Sequence, residues 1–138
     1  MRYFVDGQGR SFAEAEQQLR DRYGRSADFP KAKTIRDKAT LEQIGLDFPQ
    51  CQACGGDGGV LGLHRHHIIC GVGRSDERTS LIMLCSDGGL GCHTEAHGGR
   101  LSLANVLWLK WRDDSKNLDW MRLAILARRF LPRPEPPT

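Results

Sequence analysis

All five cysteines and all five histidines of this 138-residue chain lie between Cys51 and His97, about a third of its length. No other feature limits the possible folds so strongly, because the side chains that bind transition metals best are gathered in one short stretch. Ten of the sixteen glycines fall between Gly55 and Gly91, which predicts tight turns and short strands there rather than long helices. The cysteine count is odd and the opening residues MRYFVDGQGR carry no apolar export signal, so the thiols are expected free or metal-bound, in a cytoplasmic protein. No apolar run approaches the roughly 18 to 20 residues of a membrane span.

Cys51-Gln-Ala-Cys54-Gly is a knuckle: two thiolates two residues apart reach one ion, and the glycine relieves the turn. Cys85 and Cys92 supply a second pair, six residues apart across the insertion SDGGLG. Four thiolates predict a closed, structural zinc site with no position open to substrate. Cys70 has no partner at ligand spacing and reads as a small core residue or partly exposed thiol. Among the histidines, His93 and His97 stand four residues apart, on one face of a helix, where they could hold an ion together. His66 and His67 are adjacent at the end of a candidate strand, and His64 reads as an ordinary polar residue with a hydrogen bond, an auxiliary role being the alternative.

The flanks are helical in pattern. Ser11 with Glu14 forms a capping-box signal ahead of Phe12, Ala15 and Leu19, predicting a helix over 11–23, with a second short one over 38–44. Strand-length apolar runs occupy 60–63 and 80–84. Leu103, Val106 and Leu107, then Trp120, Leu123, Ala124, Ala127 and Phe130, repeat at helical spacing, and LPRPEPPT is expected to fray. The domains expected are therefore a helical N-terminal arm (1–48), a metal-bearing core (49–100), C-terminal helices packed on it (101–131) and a proline-rich tail (132–138). The net charge is +3, with the middle slightly acidic and both flanks more basic, which weakly favours a polyanionic partner. Arg20, Arg22, Arg25, Lys31 and Lys33 would make the arm a DNA contact; otherwise it is a surface element without chemistry.

Cys51-x2-Cys54, His66-His67-Ile68, Leu81-Ile82-Met83-Leu84-Cys85 and Cys92-His93-x3-His97 together resemble the HNH endonucleases, over about residues 50 to 100. The resemblance implies an α+β fold: a small ββα-metal unit with a structural zinc site of four cysteines, flanked by N- and C-terminal helices, as in small phage- or prophage-encoded proteins of a bacterial host. It implies His66 as a metal ligand and His67 as the general base. His93 becomes the next ligand and His97 a third, as in the colicin-type DNases. The catalytic divalent ion would be magnesium, manganese, nickel or zinc, beside the structural zinc. The expected substrate is DNA, double-stranded with little sequence readout, and no membrane is involved. Arg65, Arg74 and Arg78 are candidates for phosphate contacts, the alternative being solvated charges. Two departures stand out: Ser80 occupies the position of the family's asparagine, so the loop carrying the base must be braced differently, and the spacer between Cys85 and Cys92 is long. The competing reading is a noncatalytic zinc adaptor that touches nucleic acid or protein. Against it stands His67, since a zinc module has no use for another imidazole beside His66.

Overall fold

A computed structural model describes residues 5–59, 62–86 and 91–138. Among them are five α-helices, α1 (Phe12–Tyr23), α2 (Lys38–Asp47), α3 (Cys92–Gly98), α4 (Leu103–Asp114) and α5 (Trp120–Ala127), and two strands, β1 (Leu63–His67) and β2 (Leu81–Cys85). The chain is thus a small α+β protein. The strands pair antiparallel, with Leu63 opposite Cys85 and His67 opposite Leu81, and α3 packs against β2. The expected strand over 60–63 is met only at its last residue, positions 60 and 61 lying outside the described residues, as do 87–90 of the SDGGLG insertion.

The helix starts follow local chemistry. Ser11 Oγ accepts from the Glu14 amide, Ser102 and Asn105 form a reciprocal capping box, and Asp37 and Asp119 cap α2 and α5. Helix α2 runs three residues beyond the expected Ile44, passing through Gly45. Helix α5 stops at Ala127, so Phe130, expected on its apolar face, lies beyond it and packs edge-on against Phe29 at 5.1 Å. The stop is made by Arg128 at φ 56°, ψ 40°, a left-handed conformation that costs a side-chain-bearing residue about 1–2 kcal/mol.

Two expectations are corrected by packing. The 1–48 segment is not an arm: Phe12, Ala15 and Leu19 are buried in the main core with Trp120, Leu123 and Ala124 of α5, and Phe12 meets Trp120 edge-on at 5.8 Å. Their periodicity marks a buried face, and what it lacks is any sign of the sequence-distant partner, α5. The tail does not fray either. Leu131 is buried, Trp120 Nε1 donates to the Pro132 carbonyl at 3.2 Å, and the Glu135 amide donates to Ala104 O at 3.0 Å. Prolines forbid a helix there, yet an extended chain still offers carbonyls to neighbouring donors.

A buried polar network joins the N-terminal half to α4. Lys110, wholly buried, donates from Nζ to Arg78 O (2.7 Å) and Asp114 Oδ2 (2.8 Å), and Asn117 donates to the other oxygen of Asp114 (2.7 Å). Arg78 spans from Asp114 (2.7 Å) to Asp47 of α2 (2.6 Å). Burial drives the Lys110 ammonium down to about 8 despite its bond to Asp114.

Candidate metal centres

The knuckle Cys51–Cys54 is docked on β2 by Gln52. Its amide donates to Met83 O at 2.9 Å and its side-chain oxygen accepts from the Met83 amide at 2.8 Å, while Arg112 of α4 donates to the Gln52 carbonyl at 2.6 Å. This brings the knuckle to the end of β2, where Cys85 sits, and to the start of α3, where Cys92 sits. The four Sγ atoms lie within 4.8 Å of one another, and Cys54 Sγ is 3.7 Å from Cys85 Sγ. Zinc–sulfur bonds of about 2.3 Å at tetrahedral angles put sulfurs roughly 3.8 Å apart, so the group is sized for one ion. Backbone amides already point at the sulfurs: Gly56 N to Cys54 and Cys92 N to Cys85, both 3.4 Å.

The thiols need that ion to ionise together. Burial, the charge of Cys51 and the crowded sulfurs push the Cys92 thiol far up, and Cys54 is also raised although the Gly56 amide works the other way. Burial would raise Cys51 too, but the amides of Cys54, Cys85 and Ala53 outweigh it and lower it. A divalent cation removes the mutual repulsion that holds the remaining thiols protonated. Cys70 lies apart from this cluster as an exposed thiol, its Sγ donating to the His67 carbonyl at 3.2 Å.

The second cluster begins where α3 leaves the first. Residues 93 and 97 share a helix face, and their Nε2 atoms stand 3.0 Å apart. Side chains alternate along β1, so His64 and His66 project to the same side, toward α3. His64 stacks on His93 at 4.8 Å between centroids, and His66 meets His97 edge-on at 4.9 Å. His66, His93 and His97 each offer a nitrogen within 4.8 Å of the others. Two nitrogens about 2.1 Å from one ion stand roughly 3.0 to 3.4 Å apart for bond angles between a right angle and the tetrahedral value. His66 Nδ1 is buried with no hydrogen-bond partner, a deficit that an ion bound at that nitrogen would remove. Burial first, then the charges of His97, His93 and His67, push His66 down to about 3, and burial with His97 and His64 lowers His93. Both rings are therefore neutral near pH 7, as ligands must be, and three imidazoles suit zinc, nickel or another borderline divalent ion.

His67, next along β1, lines a cleft together with His64, His66, His93 and His97. Its Nε2 is 2.8 Å from Asp76 Oδ1, and since a carboxylate only accepts, Nε2 carries the hydrogen and Nδ1 is left as the basic nitrogen. Asp76 in turn is fixed from the N-terminal segment: the Asp37 amide donates to Oδ2 at 3.0 Å, and the Asp76 amide donates to Ile35 O at 2.8 Å. Burial would raise the Asp76 carboxyl, but His67, the Asp37 amide and Arg74 together hold it below the ordinary range. Asp76 was not a sequence candidate. It lies nine residues past His67 in a turn-rich stretch of mixed charge, with no spacing signal that distinguishes it from a solvated carboxylate.

The remaining candidates divide. Ser80, fully buried, accepts from the Ile68 amide through its carbonyl (2.7 Å) and from the Ile69 amide through Oγ (3.4 Å), which braces the backbone just after His67. Arg74 stands exposed beside His67 in a cleft of about 300 Å³ that His64, His66, His93 and His97 also line. Arg78 is not available to a phosphate, because Asp47 and Asp114 hold its guanidinium. Arg65 lines the same cleft, but its Nε donates to the Leu41 carbonyl of α2, which draws the guanidinium toward that helix. In the N-terminal segment, Arg20 lies over the Phe130 ring at 4.9 Å and the Lys33 carbonyl accepts from Arg122 at 2.7 Å. No protein-family model, curated protein or solved structure matches this chain, so the reading of the site rests on its own geometry.

Proposed function

We propose that this protein is a metal-dependent DNA endonuclease of the HNH kind, hydrolysing phosphodiester bonds with one divalent ion and a histidine base, on a scaffold closed by structural zinc. The observation that carries this reading is one cleft lined both by the three candidate ligands His66, His93 and His97 and by His67, a separate imidazole whose tautomer is set by Asp76. A metal site alone needs no such neighbour. A hydrolase does, because water must lose a proton as it attacks phosphorus.

His67 Nδ1 accepts that proton while the water oxygen bonds to phosphorus on the side opposite O3′. Asp76 stabilises the imidazolium that forms and holds the ring in place. The P–O3′ bond then breaks, its electron pair going to O3′, which takes up a proton from solvent. The chemistry supplied by a divalent ion bound to His66, His93 and His97 is Lewis-acid stabilisation of the charge on the phosphate and leaving oxygens. Arg74 adds a positive charge at the rim. The duplex would be held through its backbone.

Supercoiled plasmid incubated with purified protein and magnesium, manganese, nickel or zinc should be converted to open-circular or linear DNA, and a chelator should stop the conversion. No cleavage with any of these ions, by folded protein that retains its zinc, would favour the adaptor reading.

A further inference from the structure

The hydrogen-bonding plan of the candidate centre leaves a second, larger cleft unexplained. It has a volume of about 370 Å³ and lies on the other side of His66, between the turn after β1 and the corner where α4 meets the end of α5. Part of its wall is apolar, made by Ile68, Val72, Leu103, Val106 and Leu126. Its size lies in the range of small-molecule pockets.

Three features separate it from an ordinary surface dent. Val72 stands on its rim at 80% exposure, the most exposed of the large apolar side chains among the described residues. Gly73 locks that rim onto α5, since a Cβ there would lie 2.1 Å from the Leu126 carbonyl oxygen. At the opposite rim Arg128 and Arg129 are exposed side by side, with no side-chain hydrogen bond or ion pair among the described residues. Arg128 is also the only described non-glycine residue at positive φ, where glycine would end α5 without strain. A strained arginine beside a second unpaired one, above an apolar wall in a cleft that shares His66 and Cys70 with the metal-bearing one, marks a place for an anionic ligand with an apolar part.

We propose that this cleft takes an unpaired nucleotide next to the scissile phosphate, its base against Val72, Val106 and Leu126 and its phosphate at Arg128 and Arg129. The proposal rests on the nuclease reading and adds its substrate class: DNA with a bulged, flapped or single-stranded nucleotide at the cut. A base inside an intact duplex cannot reach a recess of this shape without leaving the stack.

The test uses the full-length, zinc-loaded protein and three labelled oligonucleotides: a paired duplex, the same duplex with one bulged 2-aminopurine, and the single strand. Wild type should cut the bulged duplex at least tenfold faster than the paired one and should change 2-aminopurine fluorescence on binding without added catalytic ion. Arg128→Gly should melt no lower than wild type, because its backbone strain is relieved. Arg128→Gly combined with Arg129→Ala should lower cleavage of the bulged substrate at least tenfold more than that of the paired one. Ala127→Leu, which narrows the cleft, should do the same. Equal wild-type rates on bulged and paired DNA would overturn the proposal, as would equal losses on both substrates in the arginine variant. If no DNA is cut but the fluorescence change appears and is lost in the arginine variant, the subsite stands and the nuclease reading fails. If neither cleavage nor fluorescence change appears, both fail.

Discussion

At the scale of single residues, the account turns on which nitrogen does what. His66, neutral and buried, and His93, neutral at the start of α3, are suited to ligation, whereas His67 lies outside that nitrogen cluster and bonds to Asp76. His93→Ala should therefore weaken divalent-ion binding by ten- to a hundredfold or more while zinc content stays at one per chain; unchanged ion affinity by calorimetry would point to a different ligand set. Asp76→Asn should fold and keep both metals, yet lose roughly 10²- to 10⁴-fold in cleavage, because an amide can donate to His67 and favour the wrong tautomer. Nitrogen-15 spectra should place the His67 proton on Nε2 in wild type and show that preference lost in the variant, with Asp76→Glu partly restoring it. A His67 tautomer unaffected by Asp76→Asn would remove Asp76 from the positioning role.

At the scale of elements, α3 serves two centres at once: Cys92 is its first residue and His93 its second. The helix has only seven residues, fewer than an isolated helix needs to persist, so its start must be held by something outside it. Four thiolates on zinc would do that. Cys51→Ser or Cys85→Ser should consequently unfold the domain and release zinc, since binding energy at such a site is folding energy. A cooperative thermal transition at the wild-type temperature in either variant would contradict the assignment. Helix α4 offers an independent check through Lys110. Its folded pKa, about 8, lies below the roughly 10.4 of an unfolded lysine, so between those values the unfolded chain binds more protons and stability rises with pH. Relative to Lys110→Met, the wild type should gain stability between pH 8 and 10.5, by about 3 kcal/mol at most. Parallel profiles in urea denaturation would mean that Lys110 is not buried as described.

At the scale of the whole molecule, what could be read from the sequence was what is written in local spacing. Cys51-x2-Cys54, the histidine pair 93 and 97, the β2 run and the Ser11 start of α1 each depend on residues within a few positions of one another. What could not be read depends on distant partners. Phe12 needed Trp120, Lys110 needed Arg78, and the base His67 needed an aspartate that is itself held by Asp37. Arg78 looked like a phosphate contact for the same reason: a charge in a loop sequence carries no record of the carboxylates that fold against it. The N-terminal segment thus takes part in the site through Ile35 and Asp37, which hold the carboxylate that orients the base. If this orientation serves proton transfer, His67→Ala shows it when plasmid cleavage rate and divalent-ion affinity are measured on the same preparation. The rate should fall roughly 10²- to 10⁴-fold with the ion affinity and melting temperature held near wild type. Cleavage by the folded variant at the wild-type rate would contradict the account.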